Sequence, residues 1–304
     1  MLLTDGSEPV MVTEQAYYVV FLVLCLMTGM CAGSFMNVVI YRLPLMLFGA
    51  DDNGRRFSLV LPPSHCPVCQ GPVWFYDNIP VLSWVLLRGK CRHCRTRISA
   101  VYPLTEAITG LWFAGVYLCL GGPLTTLLTF SGAANLLPPL VLFCLLYCIT
   151  VIDIRHYLIP DVLSLGLLWS GLIFSVCGML PVTPFQSVSG CVLAYCLIRA
   201  VQLGYRVIRG HEGLGGGDAK LFAAASVWVG LSQVPWLILF SAVCGGVLYG
   251  IKKFYQRKIL VLVPELLPGQ DDDSDSNEVA CCGLYIPFGP AIALAVLILY
   301  LTRL

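Results

Sequence analysis

The stretch from Leu140 to Asp153 reads LVLFCLLYCITVID, and it decides the fold class. No charge interrupts its apolar residues before Asp153, and such a run is typical of a helix inside a lipid bilayer. An ionised carboxylate at the end of a membrane helix is energetically costly, so it is normally paired, hydrated or functional. The stretch therefore predicts a transmembrane helix and marks Asp153 as a candidate functional residue.

Composition places the whole chain in the same class. Of its 304 residues, 58% are hydrophobic and 12% are charged, whereas soluble domains have roughly 45–50% apolar and about 25% charged residues. Mean hydropathy is +0.83. We predict an all-α polytopic membrane protein with about eight transmembrane helices; seven is the alternative count, because the sixth apolar segment is short. The predicted segments are residues 17–41, 103–121, 136–153, 162–180, 186–206, 218–232, 235–254 and 285–303.

The distribution of basic residues predicts the orientation of these helices. Positively charged loops stay on the cytoplasmic side of a membrane. The predicted outward loops, at residues 122–135, 181–185 and 232–235, contain no Lys or Arg. We therefore expect the segment between the first two helices in the cytoplasm, both termini outside, and Asp153 and Asp218 at the cytoplasmic face. The basic residues of that segment are Arg42, Arg55, Arg56, Arg88, Lys90, Arg92, Arg95 and Arg97. A net charge of +1 gives no reason to expect nucleic acid as a partner.

A second aspartate accompanies the first. Asp218 follows the glycine run Gly215–Gly217, which frees the backbone to turn sharply or to let an extended peptide approach. Two adjacent carboxylates cannot both ionise, so they would share one proton near neutral pH. The ionised carboxylate could then activate water while the protonated one polarises a peptide carbonyl.

Two other interpretations of this pair stay open from the residues alone. An ion-coupled transporter can use two intramembrane aspartates as a cation or proton site. The carboxylates can also be interfacial charges, with Asp153 paired to Arg155 or His156 and Asp218 paired to Lys220. Asp161, the next carboxylate along the chain, follows Pro160 and is predicted to cap the N-terminus of a helix.

Four cysteines indicate a metal site. Cys66 and Cys69 form one Cys-x-x-Cys pair, and Cys91 and Cys94 form a second one, separated from the first by 21 residues. This spacing is typical of a tetrahedral four-thiolate zinc site, in which the metal is structural because no position remains open for water. A redox pair or two disulfides are the alternatives, and a reducing cytoplasm disfavours the disulfides.

The cysteines define a three-part organisation of the chain. Residues 1–41 are predicted to form an outward tail and the first transmembrane helix, residues 42–102 a cytosolic zinc domain, and residues 103–304 the remaining membrane domain. An insertion of this size has a thin core without a metal to hold it. The acidic stretch Asp271–Glu278 is predicted to be a solvated loop.

Beyond these features, an ordered set of motifs resembles the type IV prepilin leader peptidase family, including the members that serve type II secretion. The set covers nearly the whole chain and is therefore specific, although a lone Gly-x-Gly-Asp is weak. Besides the cysteine pairs and Asp153, the motifs are GSFMNVVIYRLP at 33–44, NIPVLSW at 78–84, ISAVYPLTE at 98–106, IPD at 159–161, GGGDAKL at 215–221 and IPFGP at 286–290.

The resemblance implies an aspartic protease of the bacterial inner membrane. Asp153 and Asp218 match the catalytic aspartates of the family, and Gly215, Gly217 and Lys220 are expected to support them. The family cleaves a short basic leader from pilin or pseudopilin precursors, after a glycine, on the cytoplasmic face. Members with a cysteine domain also methylate the new N-terminus with S-adenosylmethionine. A peptidase that lacks this second activity is the alternative.

The residues of the methyl-transfer site are harder to predict, because no glycine-rich cofactor turn between a strand and a helix is readable in the sequence. A carboxylate would suit the positive charge of the methyl donor. Glu106 is one candidate, with Asn37 and Arg42 near it in topology, although a favourable charge at a helix N-terminus is an equal alternative for Glu106. Gly89 is expected to allow a tight turn or the approach of a ligand.

Overall fold

A computed structural model describes residues 8–48, 58–61, 63–121, 132, 134–210, 215–262 and 287–303. These residues form helices, and their only β-structure is two isolated bridges, His65 with Pro72 and Lys90 with Arg97. The all-α class is therefore confirmed. Arg55, Arg56, the acidic stretch at 271–278 and Ile286 lie outside the described residues.

The chain divides into two compact units, Met1–Cys148 and Ile149–Leu304. The division falls inside one long helix, α4, at Leu137–His156. The three-part division at residues 41 and 102 stays a prediction.

Close packing of two helices dominates the first unit. Helix α1 (Glu8–Phe48) lies against α3 (Val101–Leu120). A Cβ added at Gly33 would come 2.7 Å from the Cα of Glu106, and one added at Gly29 would come 2.8 Å from the carbonyl oxygen of Thr109. Small residues four positions apart thus let the two backbones touch, as in many membrane helix pairs. Between α1 and α3 lie a 3-10 turn at Phe75–Asn78 and the short helix α2 at Leu82–Leu86.

The second unit is arranged around a short central helix, α7, at Gly216–Val229. Almost every residue of α7 is buried, and small side chains such as Ala223, Ala224 and Ala225 let neighbouring helices approach it. Helix α7 packs against α5 (Asp161–Val176), α6 (Pro184–Arg209) and α9 (Gly289–Leu301). Helix α8 occupies Val234–Leu262 and packs chiefly against α9.

Polar contacts hold the C-terminal end of α7 in this arrangement. Near the C-terminal end of α7, Arg303 donates hydrogen bonds to the carbonyl oxygen of Val229 at 2.7 Å and to the hydroxyl of Ser232 at 3.1 Å. The indole of the buried Trp228 donates to the carbonyl oxygen of Leu167 in α5 at 2.9 Å. The opposite end of α7 carries Asp218.

Each of the eight predicted apolar segments contains a helix within the described residues, but the number of membrane spans is not confirmed. Among the described residues, five helices are long and apolar enough to cross a bilayer, namely Gln15–Phe48, Val101–Leu120, Leu137–His156, Pro184–Arg209 and Leu231–Phe254. The apolar helices Asp161–Val176 and Gly289–Leu301 are shorter, and α7 has 14 residues. A helix that neighbouring helices surround does not need the length of a lipid-exposed span.

Candidate active site and metal centre

Asp153 lies near the C-terminal end of α4 and is only 4% exposed. Its Oδ2 accepts a hydrogen bond of 2.7 Å from the backbone N–H of Gly289, the first residue of α9. The first N–H groups of a helix have no partner within the helix, and the helix dipole favours negative charge there. The carboxylate of Asp153 therefore satisfies the N-terminus of α9.

This contact depends on the absence of a side chain at Gly289. A Cβ at that position would lie 2.7 Å from Oδ2 and 3.2 Å from Cγ of Asp153. Any larger residue would displace the carboxylate. The sequence signal for this role was the Phe-Gly-Pro motif at 288–290, to which the sequence analysis assigned no contact.

Asp218 is the second buried carboxylate of the same unit, at 9% exposed in the first turn of α7. Its backbone N–H donates to the carbonyl oxygen of Gly215 at 3.2 Å. The carboxylate of Asp153 lies near enough to Asp218 for its charge to act on it. The structure thus brings together two aspartates that are 65 positions apart in the sequence.

The glycine run borders this site. Gly215 is the extended residue before α7, and its carbonyl oxygen also accepts a hydrogen bond of 2.9 Å from Nε2 of Gln202. A Cβ at Gly217 would lie 3.2 Å from the Cβ of Ile159, whereas a Cβ at Gly216 would meet open space. The segment that connects α4 to α5 therefore lies against one side of the glycines, and Gly216 leaves the other side accessible.

Lys220 pairs with Asp161 and not with Asp218. Its Nζ lies 2.8 and 2.7 Å from the two carboxylate oxygens of Asp161, and both side chains are more than half exposed. Asp161 is also not the helix cap that the sequence analysis predicted. Pro160 is the N-cap residue of α5, and Asp161 is its first helical residue, because proline fixes the extended-to-helical transition one residue earlier.

The four cysteines of the insertion converge on one point. Their sulfur atoms all lie within 4.8 Å of one another, and Sγ of Cys66 lies 3.7 Å from Sγ of Cys94. Four thiolates at about 2.3 Å from a tetrahedral ion have their sulfurs about 3.8 Å apart. The sulfur positions therefore fit a four-thiolate metal site. His93 is exposed and is not part of this group.

The two Cys-x-x-Cys segments have the same backbone turn. Gln70 donates its N–H to the carbonyl oxygen of Cys66 at 2.9 Å, and Arg95 donates to that of Cys91 at 3.1 Å. Gln70 and Arg95 both adopt positive φ, at 56° and 61°. In the second segment, hydrogen bonds from the side chain and backbone of Thr96 lower the pKa of the Cys94 thiol to about 6. Cys94 thus readily supplies the thiolate that a metal requires, whereas desolvation and the neighbouring cysteine thiols raise the pKa of Cys69 to about 11.

An ion pair joins the second cysteine segment to the 3-10 turn. Arg92, between Cys91 and Cys94, donates to both carboxylate oxygens of Asp77 at 2.8 and 2.5 Å. This hydrogen bonding holds the pKa of Asp77 below its ordinary value. The guanidinium also lies over the ring of Tyr76, 5.5 Å from its centroid.

The methyl-transfer candidates occupy separate positions in the first unit. The buried carboxylate of Glu106 accepts a hydrogen bond of 2.7 Å from the N–H of Val81, a non-glycine residue with a φ of 59°. Glu106 is the sixth residue of α3, so the alternative of a charge in the first helical turn is wrong. Asn37 donates to the carbonyl oxygen of Tyr102 at 3.2 Å.

The other two candidates have structural contacts of their own. Arg42 is buried and donates to the carbonyl oxygens of Ser58 and Leu59 at 3.1 and 3.2 Å. Gly89 has a φ of 66°, and a Cβ there would lie 2.9 Å from the indole of Trp84. The tight turn predicted at Gly89 is therefore confirmed, and it leads directly into Cys91.

Comparison with known proteins identifies the class and the family. The bacterial peptidase A24 N-terminal domain matches residues 27–120, and the type IV leader peptidase family matches residues 140–250. Together with the apolar helices, these matches define a multi-pass membrane protease. The chain belongs to the type IV leader peptidase family.

Curated relatives agree with this assignment. The chain is 40% identical over 256 residues to a prepilin leader peptidase/N-methyltransferase of Pectobacterium carotovorum subsp. carotovorum, covering 79% of this chain and 88% of the relative. It is 38% identical to the protein of that name in Neisseria gonorrhoeae, covering 73% and 79%. Identity to the Aeromonas salmonicida (strain A449) relative is 33%, covering 90% and 87%. No solved structure matches the chain significantly.

Metal content and protease resistance test the cysteine cluster. We expect Cys91→Ser to lose the bound metal and to make the insertion sensitive to protease, because a structural metal contributes directly to the folding of a small domain. Elemental analysis of purified protein and limited proteolysis measure the two effects. Cys119→Ser is the matched control, since Cys119 is exposed on α3 and lies outside the cluster. Stoichiometric metal in Cys91→Ser would contradict the site.

Proposed function

We propose that this protein cleaves the basic leaders of type IV prepilins or pseudopilins by an aspartyl mechanism and then methylates the new N-terminus. The observation that carries the proposal is the buried, electrostatically coupled pair of Asp153 and Asp218 in a chain of the type IV leader peptidase family. Relatives named prepilin leader peptidase/N-methyltransferase support the choice of substrate.

The contacts of the two aspartates favour different roles. The N–H of Gly289 and the start of α9 stabilise negative charge on Asp153, so Asp153 acts as the base that takes a proton from the attacking water. Asp218 carries the shared proton and donates a hydrogen bond to the scissile carbonyl oxygen. Collapse of the tetrahedral intermediate breaks the C–N bond, and a proton passes to the leaving amine.

The glycine run supplies a place for the substrate backbone. A scissile peptide must be extended before water can reach its carbonyl carbon, and Gly216 presents backbone without a side chain beside Asp218. Gly215 and Gly217 hold this edge in place through Gln202 and Ile159. Lys220 supports the site from its ion pair with Asp161, which fixes the start of α5 against the start of α7.

The metal that fits the four cysteines best is zinc. Four thiolates fill a tetrahedral shell, so the ion would hold the insertion together without touching substrate. S-adenosylmethionine supplies the methyl group when it is bound, and the new N-terminal amine must be neutral to accept it. Glu106 is the residue we assign to the positive charge of the donor, because it is a buried carboxylate beside the insertion.

The topology of this proposal follows from the basic residues. The zinc domain and the catalytic aspartates lie on the cytoplasmic side of the inner membrane, and both termini lie in the periplasm. All eight apolar helices then cross or enter the membrane, and the buried α7 lies inside the protein.

Substitution of the aspartates tests the mechanism. With a prepilin co-expressed, we expect Asp153→Asn and Asp218→Asn each to abolish cleavage, because an amide can neither accept nor release the shared proton. Immunoblotting of precursor and mature pilin measures the outcome. Asp77→Asn is the control, since Asp77 pairs with Arg92 in the insertion and should not affect proteolysis. Full cleavage by either active-site variant would exclude the aspartyl mechanism and favour an ion-transport role for the pair.

Gly289→Ala tests the positioning of Asp153 without changing a carboxylate. The added Cβ would meet Oδ2 at 2.7 Å and displace it, and a misplacement of about 1 Å can lower a rate about 100-fold. We expect cleavage to fall by about that factor while the protein stays in the membrane at its normal level. Gly246→Ala is the control, because a Cβ at Gly246 meets nothing within 4 Å. Equal cleavage rates in the two variants would show that the Gly289 contact does not position the base.

The mass of the mature pilin N-terminus tests methyl transfer. We expect wild type to add one methyl group. Glu106→Gln should still cleave but lose methylation, because the amide oxygen keeps the hydrogen bond from Val81 while the negative charge is lost. Glu106→Ala removes both the hydrogen-bond acceptor for Val81 and the negative charge. It therefore serves as the comparison for a structural role of Glu106. Methylation that persists in Glu106→Gln would remove Glu106 from the donor site, and unmethylated pilin from wild type would exclude the second activity.

A further inference from the structure

Helix α2 of the insertion exposes an apolar face. Leu82, Val85 and Leu86 are each half exposed or more, and positions i, i+3 and i+4 lie on the same side of a helix. The other side faces the insertion, where the buried Ser83 donates its hydroxyl to the carbonyl oxygen of Tyr76 at 2.9 Å. Large apolar side chains that share one exposed face usually mark a contact with a partner or a membrane, so the position of α2 decides what covers this face.

A hydrogen bond fixes the height of α2 along α3. The N–H of Val81, the N-cap residue of α2, donates to Oε2 of Glu106 at 2.7 Å. Glu106 is the sixth residue of α3, so its Cα lies about 7.5 Å along the helix axis from that of Val101, at about 1.5 Å of rise per residue. The side chain of Glu106 is too short to reach beyond the start of α3. Helix α2 therefore begins beside the first two turns of α3.

The length of α3 converts this height into a depth in the membrane. Helix α3 is long and apolar enough to cross a bilayer, and it has 20 residues. These residues extend over about 30 Å, which is the thickness of the hydrocarbon core. A helix of that length has no turn to spare outside the core, so its first turns lie at the boundary between headgroups and acyl chains. Helix α2, beside those turns, lies at the same boundary.

We propose that α2 is an interfacial helix, which inserts Leu82, Val85 and Leu86 into the lipid leaflet next to the insertion and so anchors the insertion to the membrane. The apolar faces of such helices enter the boundary between headgroups and acyl chains by about 5–10 Å. Arg88 and Lys90 follow α2 directly and are both exposed, so their long side chains reach anionic headgroups. The proposal rests on α3 as a transmembrane helix and is independent of the catalytic roles proposed above.

Quenching by brominated lipid measures the depth of α2 in the full-length protein. A fluorescent amino acid replaces Leu86, and the protein is reconstituted in bilayers of phosphatidylglycerol and phosphatidylcholine. The phosphatidylcholine carries bromine either near the headgroup or near the end of an acyl chain. We expect the bromine near the headgroup to quench the fluorophore at Leu86 more strongly. The membrane reference is Leu111, which is 66% exposed at the middle of α3, and there the deeper bromine should quench more strongly.

Val68 is the matched control for exposure, because it is 64% exposed in the first cysteine segment and not on α2. We expect little quenching of a fluorophore there by either lipid. Val85→Asp should reduce quenching at Leu86 to the level at Val68, because a carboxylate opposes insertion, while the protease resistance of the insertion stays that of wild type. Replacing Arg88 and Lys90 with Gln should reduce quenching at Leu86 only in bilayers that contain phosphatidylglycerol.

The same measurement separates lipid from other occupants of this face. Quenching at Leu86 that is no stronger than at Val68, or that Val85→Asp leaves unchanged, would overturn the proposal. Loss of quenching on addition of a prepilin would assign the face to the substrate instead. Loss of quenching as the protein becomes more concentrated in the bilayer would assign it to a second copy of this chain.

Discussion

The hydrogen bond from the N–H of Gly289 to Asp153 is the contact on which the second unit depends. It joins the end of α4 to the start of α9 across 136 residues of sequence. A buried carboxylate is tolerable only where donors or opposite charge compensate for its lost water. The N-terminus of α9 provides that compensation, and the missing side chain at Gly289 allows the approach. The same contact links two distant segments of the unit and fixes the position of the Asp153 carboxylate.

The first unit uses a buried carboxylate in a parallel way. Glu106 projects from α3 and accepts the N–H of Val81, which lies in the segment between the two cysteine pairs. Close contact of Gly33 with the backbone at Glu106 fixes the position of that carboxylate. The packing of α1 on α3 thus determines where the insertion is attached. In both units a carboxylate on a helix accepts a hydrogen bond from a backbone N–H that is distant in the sequence.

Much of this arrangement could be predicted from the sequence, because it depends on local patterns. Apolar runs located eight of the nine labelled helices, all but the short α2, and the spacing of Cys66, Cys69, Cys91 and Cys94 predicted their convergence. The partners of the charged residues could not be predicted in this way. Lys220 lies two positions from Asp218 but bonds to Asp161, since residues two apart on a helix point to opposite sides. The role of Gly289 needed a contact between distant segments, which no spacing rule encodes.

The shortness of α7 has a consequence for water. Its 14 residues span about 21 Å, against about 30 Å for the hydrocarbon core. The helix therefore cannot reach both surfaces of the membrane. In the topology proposed above, Arg303 at its far end keeps its charge in the aqueous phase, so the shortfall falls on the end that carries Asp218. Hydrolysis at that depth requires a hydrated recess that leads down from the surface. The protein must therefore provide a path for water to Asp218 as well as the catalytic groups.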